Sequence, residues 1–265
     1  MHCFVIYCIE SLYFLILLGF SMIMVGDVLL VNGNSKLSSG LIAAQKTIYL
    51  QSRSSHVGLF IGEGILIHAT GDNGIHLSFL PDEIKKVCEG WQVIRLKYLT
   101  DEQRGNIQKS ALYYVRQSYN KKIMMHNSSE TAFCSELVAK IYNRAEIPLF
   151  SGKSSSKIAP AHFDEAIDRG EQWEDVTHEY HELLADIEKN EFMYRQCFDS
   201  INKGLMKRAF TSRARSTLFD ILKKIAEDSD DTDFKKVIEK IQLELTEQRI
   251  LSFWDEKDGL PLDDK

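Results

Sequence analysis

The stretch SSHVGLFIGEGILIHATG, residues 54–71, decides the fold. Two short runs rich in Val, Ile, Leu and Phe flank Gly62, Glu63 and Gly64, the pattern of a β-hairpin with a glycine available for the left-handed turn position. Side chains alternate faces along a strand, so the loop length fixes which residues oppose each other. A three-residue loop sets Ile61 against Ile65, Leu59 against Ile67 and Val57 against Ala69, making one face wholly apolar. The other face then carries His56, Gly58 and Phe60 against Thr70, His68 and Leu66, with both histidines on one side. A simple two-residue loop would separate them. A lone strand histidine is ordinarily half-buried and satisfied by backbone; two on one face, after two serines and beside a glycine, suggest a site. His76, His126, His162, His178 and His181 show no such arrangement and read as surface or packing residues, His162 standing apart because it sits in a loop.

Working outward, further short strands are expected at DVLLV, GIHLSF and WQVIRL, with a closing strand in WEDVT (173–177). SSGLIAAQKTIYL (38–50) has helical spacing, and TDEQRGNIQKSALYYVRQSY begins with Thr100 as N-cap and sets Ile107, Ala111, Leu112 and Val115 on one face. SGKSSSK (151–157) reads as a loop. The fold class is α+β, a small antiparallel sheet with helices packed on it. From residue 178 the text becomes charged and amphipathic, giving a division into an apolar segment 1–25, a domain 26–177 and a helical extension 178–265. The last helix has Thr232 as N-cap and an apolar stripe of Phe234, Val237, Ile238, Ile241 and Leu245.

TAFCSELVAKIYNRA (131–145) opens a helix at Cys134. Free amides and the helix dipole at that end stabilise a thiolate and supply donors for an oxyanion. The alternative is a small buried residue at a helix start. The five cysteines, Cys3, Cys8, Cys88, Cys134 and Cys197, have no C-x-x-C spacing, so neither a disulfide scaffold nor a zinc site is indicated, and no metal or organic cofactor is expected.

A net charge of -6 gives no support to nucleic-acid binding. The basic run Lys203, Lys207, Arg208, Arg213 and Arg215 reads as a solvated helix face or a surface for anionic lipid or a partner. Residues 1–25 are apolar apart from Glu10. They read either as a membrane anchor or uncleaved signal, or as a helix packed on the domain or an extension ahead of a start at Met22 or Met24.

The order GDVLLV, a helix, SSHVGLFIGEGILIHATGDNGIHLSFLPDEI, WQVIRL, then FCSELVAKIYNRAEIPL and APAHF resembles the permuted branch of the NlpC-type, papain-like superfamily. That branch holds the YaeF/YiiX amidase-like proteins and, more distantly, the lecithin:retinol acyltransferase relatives. The resemblance spans residues 26–177, with the histidine strand ahead of the cysteine helix. It implies Cys134 as nucleophile, His56 as general base and His68, where amidase-like members more often carry glutamate, as the orienting residue. The activity implied is a cysteine hydrolase, amidase, peptidase or acyltransferase working through an acyl-thioester on a peptide-like, N-acyl amine or lipid substrate. The cytoplasm or a bacterial cell envelope would be its setting. A catalytically silent binding module on the same fold, with the C-terminal helices meeting a protein partner, is the alternative.

Overall fold

The computed structural model describes residues 25–88, 90–120, 131–229 and 231–247. The apolar segment 1–24, His126 and the chain beyond Glu247 lie outside them, and with them the membrane reading of the N-terminus; among the described residues no helix is long and apolar enough to cross a membrane.

Six strands form one antiparallel sheet in the order β4-β3-β2-β1-β5-β8: β1 (Val28–Val31), β2 (His56–Gly62), β3 (Ile65–Thr70), β4 (Gly74–Phe79), β5 (Gln92–Leu96) and β8 (Trp173–Asp175). A small parallel pair, β6 (Ser118–Tyr119) and β7 (Thr131–Ala132), leads into the cysteine helix. The helices are α1 (Lys36–Gln45), α2 (Leu80–Ile84), α3 (Asp101–Tyr114), α4 (Cys134–Arg144), α5 (Pro160–Arg169), α6 (Thr177–Lys189), α7 (Glu191–Asp228) and α8 (Thr232–Glu247).

Alternation divides the sheet's apolar residues between two cores. Val28, Leu30, Leu59, Ile67 and Ile94 cluster with Ile107 and Ala111 of α3 and Leu137, Val138 and Ile141 of α4. Leu29, Phe60, Leu66 and Val93 cluster with Tyr180, Leu183 and Ile187 of α6. A buried polar knot fastens α6 in place. The Arg95 guanidinium donates to both carboxylate oxygens of Asp27 and to Glu179, while the Tyr180 hydroxyl donates to Asp27 at 2.9 Å. The sequence boundary at 178 therefore falls inside a helix that completes the sheet's second core.

The hairpin differs from expectation in its turn. Leu59 faces Ile67 and Phe60 faces Leu66, but Gly62 faces Ile65, so the loop is the two-residue Glu63-Gly64 and Ile61 is an extra residue in a bulge. Gly64 takes the left-handed turn conformation at φ 67°, and Gln108 Nε2 donates to the Ile61 carbonyl at 2.8 Å. One bulge and a two-residue loop shift the parity as a three-residue loop does, which keeps both histidines on one face. Two other boundaries also move. Helix α1 ends at Gln45, before Thr47 and Ile48. The cap of α8 is Asp231, whose carboxylate accepts from the amides of Asp233 and Phe234, rather than Thr232.

Candidate active site

His56 is the first residue of β2 and Cys134 the first of α4. The loop before β2 is held by Asp164 of α5, fully buried, which accepts from the amides of Arg53 and Ser54 at 2.9 and 3.0 Å and from the Ser54 hydroxyl at 2.6 Å. Gln45 adds a second tie, donating to the Ser54 carbonyl and accepting from the Ala161 amide. The segment SRSS thus has its backbone groups fixed before His56 leaves it. The start of α4 is held as firmly. Ser135 donates to the Ile158 carbonyl at 2.7 Å, and Glu136 reaches back to the Phe133 amide at 3.3 Å, the reciprocal half of a capping box.

The Cys134 thiol is 7% exposed, and His56 and the backbone of Val57 and Ser135 all act on it in favour of the thiolate. Burial alone would raise its pKa; the His56 charge and hydrogen bond and the two amides outweigh that and hold the thiol below its ordinary value. For His56, burial opposes charge, but the Cys134 thiolate and, more weakly, Glu83 raise the imidazole above its ordinary value. Both shifts favour the charged forms, thiolate and imidazolium.

His56 Nε2 lies 3.0 Å from His68 Nδ1, which leaves His56 Nδ1 for the sulfur. His68 is 3% exposed; burial first, then the neighbouring His56, His76 and Lys86, keep it well below its ordinary pKa and so neutral. Its Nε2 lies 2.9 Å from Ser78 Oγ and 3.1 Å from His76 Nε2. His76, read from the sequence as a surface or packing residue, belongs to this cluster because β4 pairs with β3 in a register that sets it directly opposite His68. The same alternation of side chains that sets His56 and His68 on one face places His76 beside them across the second turn.

Two further neighbours had no sequence signal. Glu83, paired with Lys86 at 2.7 Å, acts on both His56 and His76 from α2. Half-buried Tyr119 has its phenol pushed up to about 12 by burial and by the charges of Cys134 and Glu136, so it stays protonated as a donor. His162 lies elsewhere, accepting from the Ala159 amide and meeting Lys153 Nζ at 2.8 Å. Cys88 and Cys197 are apart from the cluster, Cys88 donating to Asn34 at 2.7 Å.

Residues 22–166 match a family model described as permuted papain-like amidase enzyme, YaeF/YiiX, C92 family. The chain belongs to that family. The match runs from before β1 into α5, so it takes in the whole histidine and cysteine cluster and leaves α6, α7 and α8 beyond it. Among solved structures, the metalloprotein yiiX from Escherichia coli O157:H7 is similar at 24% identity and a TM-score of 0.40, over 46% of this chain and 66% of that one. No curated protein matches the chain. Among the described residues no group of three or more His, Cys, Asp or Glu side chains is arranged to hold a metal ion, and the three clustered histidines turn their ring nitrogens to one another. A resident metal does not fit them.

Proposed function

We propose that this member of the amidase family is a cysteine hydrolase acting on an amide bond, with Cys134 as nucleophile, His56 as acid and base, and His68 as the residue that orients His56. What supports the reading is the placement of Cys134 as the first residue of α4, where a helix start favours a thiolate, with His56 and the backbone of Val57 and Ser135 acting on the sulfur in the same direction.

The Cys134 thiolate attacks the carbonyl carbon and forms a C–S bond while the carbonyl electron pair moves to oxygen. The amides of Val57 and Ser135, which favour the sulfur charge in the resting enzyme, would donate to the oxyanion. Collapse breaks the C–N bond, and the proton on His56 Nδ1 goes to the departing amine. Water then enters, His56 takes its proton, and the hydroxide releases the acid and returns the thiolate. His68 keeps His56 Nε2 engaged throughout, leaving Nδ1 aimed at sulfur. The family description, an amidase, favours hydrolysis of an amide bond over transfer to another acceptor.

The test is a panel of N-acyl amides, peptides and lipid esters incubated with the full chain, quenched in acid and examined by intact mass. The reading expects an acyl adduct on Cys134, free acid as product, and no turnover in Cys134→Ala. Turnover retained by Cys134→Ala would overturn it, and an acyl group passed to an added amine instead of water would move the reaction from hydrolysis to transfer.

A further inference from the structure

The cluster contains one more histidine than the reaction above uses, and its hydrogen-bond directions can be worked out from one end. The Gly74 carbonyl can only accept, and it lies 3.1 Å from His76 Nδ1, so that nitrogen carries the proton. A neutral His76 then presents a bare Nε2 to His68 Nε2 at 3.1 Å, which must therefore be N–H. A neutral His68 protonated at Nε2 has a bare Nδ1, and this is the atom 3.0 Å from His56 Nε2. His56 Nε2 must be N–H to complete the contact, which is the form an imidazolium beside a thiolate requires. Each link has one direction, and all follow from a backbone carbonyl. Ser78 also meets His68 Nε2, at 2.9 Å, but a hydroxyl can donate or accept and does not choose a tautomer by itself.

We propose that His76 is a positioning residue that, anchored by the Gly74 carbonyl, fixes His68 in the Nε2–H tautomer and thereby holds His56 in its productive orientation. This rests on the cysteine-hydrolase reading and deepens it. Protonation of His76 would turn its Nε2 into a donor facing another donor and break the series. The groups acting on His76 are Glu83 and Lys86 from the α2 side, and His56 and His68 within the cluster; burial and Lys86 favour the neutral ring, while Gly74 and Glu83 oppose them.

The test uses full-length protein labelled with 15N histidine, in wild type, His76→Phe and His76→Gln, near pH 7.5. Imidazole nitrogen shifts report each tautomer, and the pH dependence of Cys134 alkylation reports the thiolate. The proposal expects His76 in the Nδ1–H form, opposite to the preference of free histidine, and His68 wholly Nε2–H. In His76→Phe, His68 should become a tautomer mixture and the thiolate midpoint should rise by about one pH unit, equivalent to a tenfold change in equilibrium. His76→Gln, whose amide oxygen can accept from His68, should restore both. His76 found as Nε2–H, or a His68 tautomer and thiolate midpoint unchanged in His76→Phe, would overturn it while leaving the cysteine reading intact. Alkylation indifferent to His56→Ala in the wild-type background would instead remove the reading beneath it.

Discussion

At the residue scale, burial and neighbouring charge pull three clustered imidazoles in opposite directions, His56 toward its charged form and His68 and His76 toward the neutral one. His68 and His76 are both held below their ordinary pKa, chiefly by burial, whereas in the unfolded chain they titrate near 6.5. Below that value the unfolded chain takes up protons that the folded chain resists, so the two groups contribute stability that is present above about pH 6.5 and lost as the pH falls through their folded values. His56 has the opposite sign: its raised pKa gives stability present below 6.5 and lost as the pH rises through the folded value. Urea unfolding from pH 7.5 to 5 should show a downward slope that is shallower in His68→Gln. An identical slope in the variant would place the acid sensitivity elsewhere. These residues differed in how legible they were. Cys134 and His56 could be singled out from a helix start and a strand pattern, and His68 from the register of one hairpin. His76 needed the partner strand across a second turn, and Glu83 needed the short helix after β4, whose position no local pattern encodes.

At the element scale, Gly58 leaves room in the histidine hairpin for Leu66 of the neighbouring strand. A Cβ at Gly58 would lie 2.7 Å from Leu66 Cδ1 and 3.6 Å from His68 Cβ, in a strand packed on both faces. Gly58→Ala should therefore cost about 1–3 kcal/mol, the usual range for overpacking, measured as a lowered urea midpoint, because Leu66 must give way. Unchanged stability would mean that Leu66 yields freely. The strands of the main sheet were legible as short apolar runs bounded by Gly, Asn, Asp or Ser, and α3 because Thr100 caps it, with Gln103 completing the box. The hairpin bulge was not. Glu63-Gly64 with a bulge and Gly62-Glu63-Gly64 without one give the same faces, and a pattern of faces cannot tell them apart.

At the scale of the whole molecule, the charged helical text after residue 178 concealed a structural role. Tyr180, Leu183 and Ile187 are the only strongly buried side chains of α6, too sparse to stand out among its charges, yet they close the second core. Burying three such residues is worth about 5–9 kcal/mol, comparable with the total stability of a domain at about 5–15 kcal/mol. Deleting residues 178–265 should give a chain without cooperative thermal unfolding. Deleting 231–265, which removes the contact of Ile238 with Phe219 and Ala226, should leave the melting of the sheet domain within a few degrees. A folded product from the longer deletion would contradict the role assigned to α6. The sequence division at 178 followed composition, whereas the packing follows three residues and the Asp27-Arg95-Glu179 knot, which joins positions far apart in the chain.

The most direct test of the central claim is the rate of Cys134 alkylation by iodoacetamide between pH 4 and 10, in wild type and His56→Ala, with the modified cysteine located by mass spectrometry. Because the thiolate is the reacting form and the Cys134 pKa is held below its ordinary value of 9.0, wild type should label selectively at Cys134 with a midpoint below that value. Removing the His56 charge should move the midpoint upward, since burial then acts against the thiolate with less to oppose it. A Cys134 midpoint at or above 9.0 that is the same in both proteins would contradict the account.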